Sequence, residues 1–235
     1  MQINTDRVKN YKITSAIKPS LLKYSCEYRA LATLRYLFPK RFNTLEHAEK
    51  PDLQDLINGV GIEVVNAVSK KDMEANRLLS NMRDNKNMSP EEIERLKKGI
   101  EACGYDLNDE KNSISKTGTG DGEKQVFQES IRKKIKKLPN YKKIFDKNGL
   151  AVVLPEIPTR EAIDSLHRWI VDLVEENGCF FDFVFVISHR SFDYYDVQKN
   201  SFATYSLTEE ENKLLRAIGR MTAEGGLSLS DLEWQ

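Results

Sequence analysis

A chain of 235 residues with 40% apolar and 31% charged side chains carries enough apolar surface to bury a substantial core, which argues against a disordered protein. Its 36 basic and 36 acidic residues cancel, so the molecule as a whole does not attract polyanions, and any nucleic-acid contact must use a local patch. Cys26, Cys103 and Cys179 are scattered without a CxxC pair, Met1 to Asn10 lacks an apolar signal core, and the longest apolar stretch, Phe180 to Ile187, is interrupted by Asp182. These features point to a cytoplasmic protein without a zinc site, secretion signal or membrane span.

The helix-and-strand order fits one elaborated α/β domain. Tyr24, Leu31, Leu34 and Phe38 recur at helical spacing, so a first helix is expected over about residues 18–38, ended by Pro39. Glu27 falls on the same stripe and should face the interior, unless it lies at the stripe's edge and reaches solvent. A short connection over 41–50 then leads to a strand from Asp52 to Ile57, an Asn58-Gly59 turn and a second strand from Gly61 to Val68. Asn-Gly between apolar runs is a strong hairpin signal. Asp52 opens the first strand and Glu63 sits inside the apolar second one, where a charge is costly unless a partner or cation compensates. The plainer alternative makes Asp52 a turn residue and Glu63 a solvent-facing side chain of a half-buried strand.

A polar helix-prone stretch over 70–85 follows. Ser89-Pro90-Glu91-Glu92 then supplies an N-cap, a proline at the first helical position and a capping-box Glu for a helix ending near Cys103-Gly104. This pair reads as a helical insertion at about residues 70–122, lying outside the sheet. Asp106 to Glu123 is polar and without hydrophobic period, and is expected to be a mobile loop. Lys116 to Lys124 lacks the glycine and hydroxyl residue of a phosphate loop, and Lys111 stands where a calcium loop needs glycine. A helix over about 124–146 should be kinked or split by Pro139. Leu150 to Leu154 reads as a buried strand, Thr159 to Glu176 as an amphipathic helix and Phe180 to Ile187 as another strand, an order that favours parallel connections. Phe192 to Tyr195 is expected to be an edge strand, and Thr208 with Glu211 forms a capping box for a last helix through Arg220. His47, His167 and His189 stand apart from any Ser or Cys arrangement and read as structural or exposed.

Asp52 and Glu63 on one hairpin suit Mg²⁺, or Mn²⁺, a cation that takes one or two carboxylates and keeps several waters. A helix bearing Glu27, then Pro51-Asp52 at a strand start, then Glu63-Val64-Val65 in an apolar strand, resembles the PD-(D/E)XK nuclease superfamily. The resemblance covers Leu21 to Ala67 by motif and Lys124 to Ile187 by order of elements. It implies a restriction-endonuclease-like fold, a mixed central sheet flanked by helices, and Mg²⁺-dependent phosphodiester hydrolysis on DNA. It also makes Asp52 and Glu63 metal ligands and Glu27 the helix carboxylate that assists through water. The family's Lys two residues after the Glu is replaced here by Val65. A basic segment, Ile131 to Lys147, holds eight basic residues and one acidic one. Lys134 and Lys137 follow Ile131 at steps of three beside its apolar stripe, and are the candidates to fill the missing role from a helix. Lys133, Lys136, Lys142 and Lys143 are then free for phosphates, the alternative being a solvated charged face. A non-cleaving nucleic-acid-binding module, or a protein–protein interaction subunit using Phe192 to Tyr195, remains open, and a homodimer is compatible with the sequence.

Overall fold

The computed structural model describes all residues except 1–7, 9–10, 12–16, 86, 109–112, 117–120, 155–159, 189–190, 233 and 235. His189 and Arg190 therefore lie outside the described residues, as do parts of the expected loop between Asp106 and Glu123.

The first helix, α1 (Pro19–Leu37), has Pro19 at its first turn, where a missing N–H costs no hydrogen bond. A short α2 (Pro39–Phe42) follows, then β1 (Glu46–His47), β2 (Leu53–Asp55) and β3 (Val60–Asn66). β2 and β3 pair antiparallel, but β2 is shorter than the expected Asp52 to Ile57 strand: Asp52 lies before it, and Leu56 and Ile57 join Asn58 and Gly59 in the turn between Asp55 and its partner Val60. Gly59 has φ 62°, a left-handed conformation that favours glycine.

β6 (Lys147–Val153), α7 (Arg160–Glu176) and β7 (Phe183–Ile187) supply the expected parallel connection, and β6 also runs parallel to β3. β8 (Ser191–Asp196) and β9 (Ser201–Ser206) continue the sheet antiparallel. The result is a mixed seven-stranded sheet in the order β1-β2-β3-β6-β7-β8-β9.

Side-chain alternation divides the core. Ile62, Val64, Ala151, Val153, Phe185 and Ile187 face α1 and the last helix, α8 (Glu209–Ala223). Leu150, Val152, Val184 and Val186 face α5 (Asp121–Ile135) and α7. Helices on both faces explain why the central strands read as nearly continuous apolar runs.

Several expectations shift. β8 is interior, and β9 takes the edge position, because the Ser201 to Ser206 stretch pairs with the full length of β8. Phe192 and Tyr195 are buried on opposite faces, so these rings serve the core. The segment expected to be a mobile loop contains β4 (Tyr105–Asn108) and β5 (Ser113–Lys116), paired antiparallel, and its last residues open α5. Tyr105 and Ile114 anchor this hairpin in a small core with α3 (Lys70–Asp84) and α4 (Pro90–Ala102), a tertiary gain that local polarity conceals. The basic segment breaks into α5 and α6 (Leu138–Tyr141), with Pro139 in the first turn of α6. The Phe180 to Ile187 strand is shorter than expected and starts at Phe183. Among the described residues, no helix is long and apolar enough to cross a membrane.

Candidate functional site

Strand alternation decides where Glu63 points. With Ile62 and Val64 committed to the α1 face, Glu63 must project to the opposite face, where α5 and α6 cross β3. It is 1% exposed. Lys134, in the last turn of α5, places its ammonium against Glu63 Oε2. Tyr141, at the end of α6, donates its hydroxyl to Glu63 Oε1.

Asp52 reaches the same point from the loop before β2. Its Oδ2 accepts the backbone N–H of Val64 at 2.8 Å and lies 3.1 Å from Lys134 Nζ. Gly61 makes this approach feasible, since a Cβ there would lie 2.8 Å from both the Pro51 ring and the Phe145 ring. The two carboxylates therefore converge on one cationic atom. Burial acts to raise the Asp52 pKa, but the Lys134 charge and the Val64 N–H hold it below the ordinary carboxylate range. Burial and the bond to Glu63 push the Tyr141 hydroxyl well above its usual pKa, so it stays protonated as a donor.

Glu27 on α1 is buried, as its place on the apolar stripe implied, although Tyr24 on the same stripe is 39% exposed. Glu27 Oε2 lies 2.7 Å from His47 Nε2, and the His47 ring packs on Tyr28 with centroids 4.5 Å apart. Lys23, one turn before Glu27, lies 3.2 Å from Glu27 Oε1 and 3.8 Å from Asp52 Oδ1. Its charge thus bridges the two acids from a largely exposed position, where solvent weakens the attraction. Among the described residues, Lys23 is the group that approaches Glu27 Oε1. A cleft of about 250 Å³, lined by Lys23, Cys26, Glu27, Val64 and Asn66 among others, opens beside it. Burial pushes the Cys26 thiol up to about 11, which favours the thiol over the nucleophilic thiolate.

The sequence-derived residues thus divide. Glu27, Asp52, Glu63 and Lys134 form one chain of contacts, from His47 through Lys23 to Tyr141. Lys137 is exposed at the N-cap of α6, and no ion pair joins it to Asp52 or Glu63. Lys133, Lys136, Lys142 and Lys143 are also exposed. Sequence reasoning missed three participants. Lys23 was accessible through its i,i+4 spacing to Glu27. Tyr141 was signalled only by being the one tyrosine in the basic segment. His47 carried no local signal, because its partner is 20 residues away on another element. His167 is exposed, with its ring against Phe202 and Tyr195.

Among the described residues, no group of three or more His, Cys, Asp or Glu side chains is arranged to hold a metal ion. The residues that could hold a metal are Asp52 and Glu63, two hard oxygen donors that converge on the Lys134 ammonium. No protein-family model matches the chain, and no curated protein or solved structure matches it either.

Proposed function

We propose that the chain is a divergent nuclease of restriction-endonuclease-like fold that hydrolyses phosphodiester bonds in DNA with Mg²⁺ or Mn²⁺. The observation that carries this reading is the convergence of Asp52, Glu63 and Lys134 from a loop, a strand and a separate helix. A structural ion pair needs one acid and one base; this arrangement concentrates two acids on one base at the end of a hairpin. Asp52 and Glu63 are the metal-holding pair, and Glu27 holds a water on the α1 side. A bound divalent ion supplies Lewis acidity for that water and charge stabilisation for the scissile phosphate. Lys134 would take the part of the motif lysine that Val65 cannot play and orient the attacking water beside the two acids. Tyr141 keeps Glu63 in place, and exposed Lys133, Lys136, Lys142 and Lys143 contact phosphates.

The test is a plasmid-nicking assay with Mg²⁺, Mn²⁺ or chelator. Nicking that requires the metal and disappears in Glu63→Ala and Asp52→Ala is the expected result; absence of any nicking by the folded wild-type chain across both metals overturns it.

One observation favours a second reading. The Lys134 ammonium already joins both acids, and no three-ligand group exists among the described residues. A non-cleaving nucleic-acid-binding module, in which Lys134 neutralises acids that no longer bind metal, follows from that charge balance. Salt-sensitive DNA binding without nicking supports this module.

A further inference from the structure

The turn between β2 and β3 presents two large aliphatic side chains to solvent, Leu56 at 75% and Ile57 at 80% exposure. Fully exposed apolar side chains on a mobile turn need no explanation, but this turn is braced. Asp55, itself buried, accepts the backbone N–H groups of Ile57 and Asn58 at 3.1 and 3.0 Å. Its other oxygen accepts Thr44 Oγ1 at 2.7 Å and Asn58 Nδ2 at 2.8 Å. The tip is therefore held in one shape while its aliphatic ends remain uncovered, at an entropic cost lower than that of a floppy loop.

The neighbouring turn, between α6 and β6, adds a third exposed aliphatic, Ile144 at 66%. The two turns are fastened together: Lys147 N–H donates to the Gly59 carbonyl at 3.0 Å, and Gly59 lies against the Asp146 carboxylate. Exposed Lys142, Lys143 and Lys147 are near Ile144 in the chain, with Asp146 the one acid in that stretch. Three exposed aliphatics and three exposed lysines on two fastened turns match a ligand with an apolar stacked interior and an anionic rim. A nucleic-acid duplex is such a ligand.

The position relative to the acids supports that choice. Tyr141, which touches Glu63, immediately precedes Lys142 and Lys143 in the chain. Val60, at the turn, is three residues from Glu63 along β3, a span of about 10 Å at 3.3 Å per residue. That is roughly three base steps at about 3.4 Å each.

Building on the nucleic-acid reading above, we propose that Leu56, Ile57 and Ile144 form an apolar wedge that enters a base step of duplex DNA, with Lys142, Lys143 and Lys147 on the flanking phosphates. Aliphatic side chains inserted between base pairs unstack them and kink the helix. The wedge fixes where the duplex is distorted relative to Asp52 and Glu63, and so which phosphate faces them.

The experiment uses the full chain in chelator, so that cleavage is not read. A short duplex carrying the adenine analogue 2-aminopurine, which brightens when unstacked, is titrated with wild-type protein and with Leu56→Ser/Ile57→Ser. The wedge predicts a rise in emission at saturation with wild type and its loss with the double variant, which still binds the duplex. Lys142→Ala/Lys143→Ala should weaken binding while preserving the rise at saturation. Unchanged emission on wild-type binding overturns the proposal. So does an absence of duplex binding, or binding of phosphatidylserine vesicles or of a second copy of the chain in its place. The nuclease reading fails separately: a positive emission signal with no metal-dependent nicking leaves the wedge standing, and nicking with no emission change leaves only the nuclease.

Discussion

Replacing Lys134 with Met keeps most of the side-chain volume and removes the one ammonium that touches both Asp52 and Glu63. The two acids have side chains only 5% and 1% exposed, so water cannot take the ammonium's place without rearrangement. Breaking a buried charge set by removing one partner costs about 3–5 kcal/mol. The lower end applies here, about 3 kcal/mol, because the Val64 N–H, the Tyr141 hydroxyl and the outlying Lys23 remain. For a chain of this size each kcal/mol lowers the melting temperature by about 2–4 °C, giving a fall of roughly 6–12 °C. Urea unfolding followed by far-ultraviolet circular dichroism measures the same loss as a free energy.

The pH dependence carries its own sign. In the wild type the Asp52 pKa lies below its unfolded value, so its stabilisation is present above about pH 4 and fades as pH falls through the folded pKa. In Lys134→Met burial acts with less opposition and the Asp52 pKa rises, so the deficit should be largest near neutral pH and narrow on acidification. Mg²⁺ at a hundredfold excess over its dissociation constant should return about 2.7 kcal/mol. A Lys134→Met protein within about 0.5 kcal/mol of wild type at pH 7 would mean that the acids are not held by this lysine.

Three further outcomes are expected. Tyr141→Phe leaves Glu63 Oε1 without its donor and should cost about 1.5–3 kcal/mol in urea unfolding; because the phenol pKa is raised, this contribution stays full below about pH 10 and is lost only as pH rises through the folded value. Gly219→Ala would drive a Cβ to 2.7 Å from the Ser25 carbonyl and 2.8 Å from the Arg29 nitrogen; since both are backbone atoms of α1, overpacking should cost about 1–3 kcal/mol by thermal melting. Lys142→Ala/Lys143→Ala should reduce the slope of log affinity against log salt by about 1.8 in a DNA-binding titration, if each lysine meets one phosphate.

The parts of the fold that were legible in the sequence are those whose signal is local. The Asn58-Gly59 hairpin, the capping boxes at Ser89 and Thr208 and the Pro39 stop all act within a few residues, and all are present. The β4–β5 hairpin was not legible, because Tyr105 and Ile114 gain their burial from α3 and α4. The edge position of Phe192 to Tyr195 was misjudged for a similar reason: which strand pairs with Ser201 to Ser206 is a matter of sheet order. At the site, Glu63 stood inside an apolar strand and Glu27 on an apolar helical stripe, but each kept a solvent-facing alternative that only the packing of the sheet and helices resolved in favour of burial. His47 and Tyr141 belong to contacts made across 20 and 78 residues, which no local pattern announces.

The charge balance at the site links these points to function. Glu27, Asp52 and Glu63 bring three negative charges to one end of the hairpin, and Lys23 and Lys134 bring two positive ones. The ammoniums approach from opposite sides, Lys23 along α1 and Lys134 from α5, and only Lys134 is largely buried. A divalent cation entering between Asp52 and Glu63 would compete chiefly with Lys134, which touches both acids, and more weakly with Lys23, which lies 3.8 Å from Asp52 Oδ1 and 3.2 Å from Glu27 Oε1. On the proposed nuclease reading Val65 would not end catalysis, because α5, with Ile131 packed in the core, brings the Lys134 ammonium to the two acids from another element. Lys134→Arg separates the two possibilities. Arginine retains the positive charge and the fold but cannot fill the compact position of an ammonium, so nicking that survives this change assigns Lys134 to charge neutralisation, and nicking that is lost while stability is kept assigns it to orienting water.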